Sequence, residues 1–134
     1  MERYDVFHDI LVNLFQEIMD IEEKALITAE FKNISVNDMH IIEAIGTGEP
    51  KNMSTVAKLM SVTVGTLTIA INNLVKKGYV HRVRSDADRR VVLVSLTEKG
   101  EKAYYHHEEF HREMTNAVLN RLDEKEIPVL MKTL

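Results

Sequence analysis

The 134-residue chain contains no cysteine, no tryptophan, two prolines and five glycines. The absence of cysteine excludes a disulfide framework and thiol chemistry. No apolar run approaches the ~18 residues that a membrane helix needs, and the N-terminus lacks the basic and then apolar pattern of a signal peptide. We therefore expect a soluble cytoplasmic protein with no membrane partner, folded as one domain or as one domain with an appended dimer module.

Motifs typical of enzymes are also missing from the sequence. It has no glycine-rich phosphate loop, and no Ser-His-Asp order occurs in the context of a nucleophile elbow. We therefore expect a protein that is not an enzyme and that requires no cofactor.

Basic residues are concentrated in one part of a chain whose formal net charge is −4. Residues 51–100 hold nine lysines and arginines against three acidic residues, whereas the rest of the chain holds eight basic and 18 acidic residues. A basic segment within an acidic protein is the charge distribution that phosphate binding requires.

Apolar residues at helical spacing predict a mainly helical chain. Ser35 and Asp38 stand at the positions of a capping box, and Thr63 and Thr97 are further predicted caps. Glycine at 78 suits the left-handed position after a helix. The predicted helices cover about 4–29, 35–45, 54–60 (with Val56 and Leu59 inward), 63–77 (with Leu67, Ile71 and Leu74 inward), 97–120 and a last segment after Asp123 in which Pro128 is expected to cause a kink.

Between the fourth and fifth helices the pattern changes to β-branched runs. Residues 80–84 and 91–95 flank a polar tip, which predicts a β-hairpin with a basic loop. Two short helices followed by a basic hairpin form the order of a winged helix-turn-helix, whose second helix enters the major groove of DNA. The residues of that helix predicted to face DNA are Thr63, Gly65, Thr66, Thr68, Asn72 and Asn73.

The segment from Val80 to Gly100 resembles the wing and the following helix start of the MarR family of transcriptional regulators. That family has a leucine and Lys-Gly before the wing, Asp-x-Arg at its tip and Leu-Thr-x-x-Gly after it. The helix order matches as well, and the resemblance implies a mainly α fold with a small β-hairpin wing. The matching residues here are Leu74, Lys77-Gly78, Asp88-Arg89-Arg90 and Leu96-Thr97-Glu98-Lys99-Gly100.

The resemblance also implies roles for the wing residues. Arg90 would enter the minor groove with Asp88 orienting it, and Arg82, Arg84 and Arg89 would bind phosphates. The full set of residues predicted to contact DNA is Ser54, Thr63, Gly65, Thr66, Thr68, Asn72, Asn73, Lys76, Arg82, Arg84, Ser85, Asp88, Arg89 and Arg90.

The assembly that the resemblance implies is a homodimer with a base of N-terminal and C-terminal helices. We expect residues 1–34 and 97–134 to form this dimerisation region and residues 35–96 to form the winged helix-turn-helix, intertwined in one domain. A two-fold dimer places its two reading helices about one DNA turn apart, ~34–36 Å. The expected role is therefore a repressor at a pseudo-palindromic operator.

Several runs are similar to the FabT-type repressors of bacterial fatty-acid synthesis. That likeness implies control of fatty-acid biosynthesis genes and a long acyl chain on acyl carrier protein as effector. An apolar tunnel would hold the chain, with Leu14, Ile18, Met39 and Ile42 as candidate lining, although each of these residues equally suits an ordinary core. The similar runs are 31–35, 38–40, 64–68, 72–74 and 82–85.

A zinc-responsive regulator is the first alternative. His107 and His111 lie four residues apart on one helix face. His40, together with Glu22 or Glu23, can complete a zinc site of nitrogen and oxygen ligands. These positions are similar to those of zinc-sensing MarR proteins, which are richer in histidine.

Three further hypotheses concern the effector or the binding partner. A MarR-type regulator with an unknown small-molecule ligand stays open. Peroxide sensing needs a reactive cysteine and is excluded. A winged helix that binds only proteins predicts an apolar or acidic second helix and wing, whereas the threonines, asparagines and arginines of this chain favour DNA.

Overall fold

The computed structural model describes residues 2–26, 31 and 33–134, and this part of the chain is mainly helical with one small antiparallel sheet. The predicted fold class is confirmed. The elements follow in the order α1 (Arg3–Leu26), α2 (Val36–Ile45), β1 (Lys51–Asn52), α3 (Met53–Met60), α4 (Val64–Lys76), β2 (Val80–Arg84), β3 (Val92–Leu96), α5 (Glu98–Leu119) and α6 (Glu126–Thr133).

Three helices begin at the predicted caps. The Ser35 hydroxyl accepts the Asp38 backbone N–H at 3.0 Å, and the Asp38 carboxylate accepts the Ser35 N–H at 3.1 Å, which completes the capping box. Thr63 and Thr97 cap α4 and α5 by accepting the backbone N–H three residues later. These bonds satisfy donors that have no partner within the helix, so they fix where each helix starts.

The core lies between α2, α3, α4, the sheet and the first half of α5. The inward face predicted for α4 is confirmed, because Leu67, Ile71 and Leu74 are buried. The inward prediction for Leu59 is wrong, since its side chain is 61% exposed. The inner face of the short helix α3 is formed by Met53, Val56 and Ala57. Leu59 lies off this face.

The predicted hairpin is confirmed and gains a third strand that the sequence did not indicate. Strand β3 pairs with β2 on one side and with β1 on the other, and both pairs are antiparallel. β1 has two residues, too few to show the alternation by which strands are recognised. It joins the start of α3 to the wing, because Asn52 pairs with Leu93 and also caps α3.

Helix α1 has an apolar face that is largely exposed in the single chain. Phe7 and Phe15 are both 65% exposed, and Ile10 is 59% exposed. The C-terminal part of α1 contacts the rest of the molecule, where the carbonyl oxygen of Ala25 lies 3.0 Å from His106 Nε2. Residues 27–29, to which the helix was predicted to extend, lie outside the described residues.

Helix α6 begins close to the predicted place but without the predicted kink. The Asp123 carboxylate accepts the backbone N–H groups of Lys125 and Glu126, each at 2.8 Å. Pro128 is the third residue of the helix. A backbone N–H in the first turn has no partner within the helix, so proline removes no bond there. The expected kink is therefore wrong.

Within the described residues, no single helix is both long and apolar enough to span a membrane. α3 and α4 meet that test only when taken together, and their axes differ by 104°.

Candidate nucleic-acid interface

The N-terminal turn of α4 carries hydroxyl groups in defined orientations. Thr63 Oγ1, which caps the helix, also donates to Thr66 Oγ1 at 3.0 Å. Thr66 can therefore donate its own hydroxyl hydrogen outward. Thr68 donates to the Val64 carbonyl oxygen at 2.8 Å, which leaves the lone pairs of its oxygen as acceptors. Thr63 and Thr66 thus form one polar corner at the start of the helix. Thr68 lies on another side of α4, beside Arg82 and Arg84 of the wing.

The outward face of α4 is a stripe of exposed residues opposite the buried one. Its members are spaced at intervals of three and four residues and include Thr66, Asn73 and Lys76, which were predicted, and Ile69, which was not. Gly65 begins this stripe, and an added Cβ there would meet nothing closer than Thr63 Oγ1 at 3.9 Å. Ile69 was missed because only polar residues were considered for this face, although its position off the buried stripe was visible in the sequence.

The wing tip holds an arginine that projects into solvent. Arg90 is 91% exposed, and its Nε and Nη2 donate to the two Asp88 carboxylate oxygens at 3.1 and 3.2 Å. The Arg90 side-chain and backbone hydrogen bonds hold the pKa of Asp88 below its usual value. The structure therefore places Asp88 where the resemblance implied, as the residue that orients Arg90.

The other wing residues form contacts within the protein. Arg84 Nη1 donates to the Arg89 carbonyl oxygen at 2.8 Å, and the Ser85 hydroxyl accepts the Asp88 N–H at 3.4 Å. These bonds brace the tip between β2 and β3. Arg89 itself is exposed beside Arg90.

Arg82 is linked to α4. Its Nη1 donates to the side-chain oxygen of Asn72. The family resemblance implied phosphate binding for Arg82, and the sequence predicted a DNA contact for Asn72, whereas the structure pairs the two side chains. The pair ties β2 of the wing to the helix beside it.

A groove of about 580 Å³ lies between the start of α3, the start of α4 and the wing, and we call it the wing groove. Its lining brings together five of the predicted DNA residues, from three separate stretches of the sequence. They are Ser54, Thr68, Arg82, Arg84 and Arg90.

A second group of predicted residues meets where α1, α2 and α5 come together. Glu22 Oε1 lies 3.0 Å from His40 Nε2 and 3.5 Å from His107 Nε2, and the Nε2 atoms of His107 and His111 are 2.8 Å apart. Glu22, His107 and His111 each offer a ligand atom within 4.8 Å of the others. We call these four residues the histidine cluster; Glu23 is exposed and has no place in it.

His107 is the buried member of the histidine cluster. Burial and the neighbouring His111 lower its pKa, against the opposite effects of Glu43 and Glu22 and with a smaller lowering from His40. The neutral imidazole that this favours is the form that binds a metal. Glu43 Oε2, 3.5 Å from His107 Nε2, is a further neighbour that the sequence did not indicate.

A cleft of about 590 Å³ between α1 and α2 adjoins the histidine cluster, and we call it the α1–α2 cleft. Ile18 lines it together with Phe15 and Met19. The other residues predicted to line an acyl tunnel lie elsewhere. Leu14 is 49% exposed, and Met39 and Ile42 are core residues with no exposed surface.

Comparison with known proteins identifies the family. The sequence profile described as transcriptional regulator SarA/Rot matches residues 24–107. The chain belongs to the SarA/Rot family of transcriptional regulators. The winged helix of this SarA/Rot protein is of the MarR type, so the predicted family is confirmed.

Individual relatives of this SarA/Rot protein agree with the assignment. The transcriptional regulator YpoP of Bacillus subtilis is 30% identical over 92 residues, which are 69% of this chain and 63% of YpoP. FabT of Streptococcus pneumoniae, solved in complex with DNA, gives a TM-score of 0.91 at 40% identity over 97% of this chain and 91% of FabT. A cysteine-to-serine mutant of MarR from E. coli shares the fold, with a TM-score of 0.68 at 23% identity over 99% of this chain and 93% of that one.

Proposed function

We propose that the chain binds duplex DNA and represses transcription as a homodimer at a pseudo-palindromic operator. The observation that carries this proposal is the wing groove, where hydroxyl groups of α3 and α4 face three arginines. Guanidinium donors and hydroxyl groups are among the groups that bind phosphates and base edges. The likeness to FabT, which was solved with DNA, supports the same role here. In this proposal the protein acts in the cytoplasm and has no enzymatic activity.

The homodimer is supported by the exposed apolar residues of the terminal helices. On α1 they include Phe7 and Phe15, and on α6 Val129 and Met131 are 64% and 68% exposed. Apolar patches of this kind mark interaction surfaces, because water is a poor solvent for them. Two-fold pairing of these helices between two copies would relate the two wing grooves by the same symmetry that a pseudo-palindromic operator has.

Selection of bound duplexes from genomic fragments, followed by titration of the selected operator at several salt concentrations, tests the proposal. Each phosphate contact is expected to contribute about −0.9 to the slope of log affinity against log salt. Sedimentation of the free protein should give the mass of a dimer. Failure to retain any duplex at low salt, or an affinity that does not change with salt, would contradict DNA binding.

The Asn72–Arg82 pair is expected to act as a unit in this binding. Asn72→Ala and Arg82→Ala should each weaken operator binding. The double variant should bind only slightly more weakly than either single variant, which corresponds to a coupling free energy of about 1 kcal/mol between the two side chains. Asn72→Ala and Arg84→Ala form the matched control, because Arg84 bonds to the wing tip instead. Additive losses for both pairs of substitutions would show that Arg82 binds DNA independently of Asn72.

For the effector, we propose a long acyl chain carried on acyl carrier protein, and control of fatty-acid biosynthesis genes. The α1–α2 cleft supports this, since its volume lies within the ~300–1,000 Å³ typical of ligand pockets. Apolar Phe15, Ile18 and Met19 line it. The resemblance to FabT-type repressors points to the same effector class.

Zinc is the second candidate effector, and the histidine cluster favours it. Ligands at ~2.0–2.1 Å from a tetrahedral zinc ion lie about 3.3 Å apart. The Glu22–His107 and His107–His111 distances of 3.5 and 2.8 Å are close to that value. Glu22, His107 and His111 therefore offer one oxygen and two nitrogen atoms near the spacing of a zinc site.

Operator affinity measured with each effector separates the two candidates. One arm adds carrier protein loaded with a long acyl chain against unloaded carrier protein, and the other adds zinc against a chelator. Ile18→Trp should abolish only the acyl response by filling the α1–α2 cleft, and Glu22→Gln should abolish only the zinc response. An effector that leaves the operator affinity of the wild type unchanged is eliminated. If neither effector changes that affinity, an unidentified small ligand is favoured.

A further inference from the structure

One apolar side chain stands in the middle of the polar outward face of α4. Ile69 is 69% exposed, while Leu67 and Ile71 on either side along the chain are buried. Thr66 and Asn73, one turn before and after it, are exposed and polar. The core therefore does not hold Ile69, and the residues around it on this face are those expected to bind DNA.

We propose that Ile69 contacts the 5-methyl group of a thymine and so determines one base pair of the operator. The inference rests on the proposed function, in which α4 lies in the major groove. The thymine methyl is the apolar feature that a base pair exposes there, and it is matched by apolar side chains. Ile69 fits this ligand because its branched side chain is stiff and projects from the helix without support from the protein.

The neighbours of Ile69 fix which part of the groove it would reach. Side chains three or four residues apart on a helix lie about 5–6 Å from one another, whereas successive base pairs are about 3.4 Å apart along the duplex. Thr66 and Asn73 would then hydrogen-bond base edges or phosphates on the two sides of the thymine. The operator half-site should therefore contain a thymine flanked by nucleotides that bind the polar side chains of Thr66 and Asn73.

Replacement of thymine by deoxyuridine, one position at a time in the selected operator, tests the inference because it removes only the methyl group. At one position of each half-site we expect binding by the wild type to weaken about fourfold, the value of one buried methyl group. Ile69→Ala should bind the thymine and deoxyuridine operators equally. Thr66→Ala is the matched control and should keep the fourfold preference at that position.

Each outcome of this experiment has a definite meaning. Ile69→Ala should fold as well as the wild type, because the side chain is exposed and alanine favours helix, and thermal unfolding checks this. Wild-type binding that ignores every deoxyuridine, or an Ile69→Ala variant that keeps the preference, would overturn the inference while leaving DNA binding intact. A protein that binds no duplex at all would instead overturn the proposed function, and the inference with it.

Discussion

Arg90→Ala is expected to weaken operator binding by about 10- to 100-fold, which corresponds to the free energy that hydrogen bonds to a charged group contribute. The salt slope should also fall by about 0.9, since one cation no longer meets the DNA. The reason is structural: Arg90 is 91% exposed at the wing tip and its guanidinium is fixed by two bonds to Asp88. A fixed cation loses little freedom on binding, and a narrow minor groove attracts it.

Two variants separate the charge of Arg90 from its orientation. Arg90→Lys keeps the charge but not the two-point contact with Asp88, so it should keep the salt slope and lose part of the preference for operator over random DNA. Arg112→Ala removes an exposed arginine of α5, far along the chain from the wing, and should change neither quantity. If Arg90→Ala bound the operator with unchanged affinity and slope, the wing would have no part in binding.

Among the predicted substitutions, Gly100→Ala is expected to lower the free energy of unfolding most. A Cβ at this position would lie 2.1 Å from the Tyr79 carbonyl oxygen and 3.2 Å from Leu96 Cβ, so backbone segments must separate to admit it. Overpacking of this kind costs about 3 kcal/mol. We expect the melting temperature to fall by about 10 °C, measured by calorimetry or circular dichroism.

Gly65→Ala is the matched control for this prediction. Gly65 lies in α4, where an added Cβ would make only an ordinary van der Waals contact with Thr63 Oγ1, so alanine should leave stability unchanged or raise it by about 0.5–1 kcal/mol. An equal loss for both variants would show that the loss follows from replacing glycine in a helix. A stable Gly100→Ala protein would show that α5 can move away from Tyr79 without cost.

Local chemistry made much of the fold predictable. Ser35, Thr63 and Thr97 cap their helices through hydrogen bonds that span three residues, so the sequence alone contains both partners. The Asp88–Arg90 contact spans two residues and was implied by the motif that the wing shares with the MarR family. Contacts this close in sequence depend little on the rest of the molecule.

The features that were missed depend on contacts between distant segments. Strand β1 exists because β3, which follows much later in the chain, offers it a free edge. Leu59 is exposed because α3 packs against α2 and α4 with Met53, Val56 and Ala57 on its inner face. Glu43 comes within 3.5 Å of His107 in the histidine cluster only because α2 packs on α5. The Asn72–Arg82 pair likewise needs α4 and β2 to be placed side by side.

The close approach at Gly100 has a mechanical consequence. The start of α5 is bonded to the segment before β2, through Thr97 N–H to the Tyr79 carbonyl at 3.0 Å and the Thr97 hydroxyl to the Gly78 carbonyl at 2.6 Å. The 22 residues of α5 form a rod of about 33 Å fixed rigidly to the wing at one end. In the proposed dimer, tilting that rod by about 5° would displace its far end by about 3 Å, nearly one base-pair step. Subtle reorientation among the terminal helices would thus suffice to alter the register between the two halves of the operator.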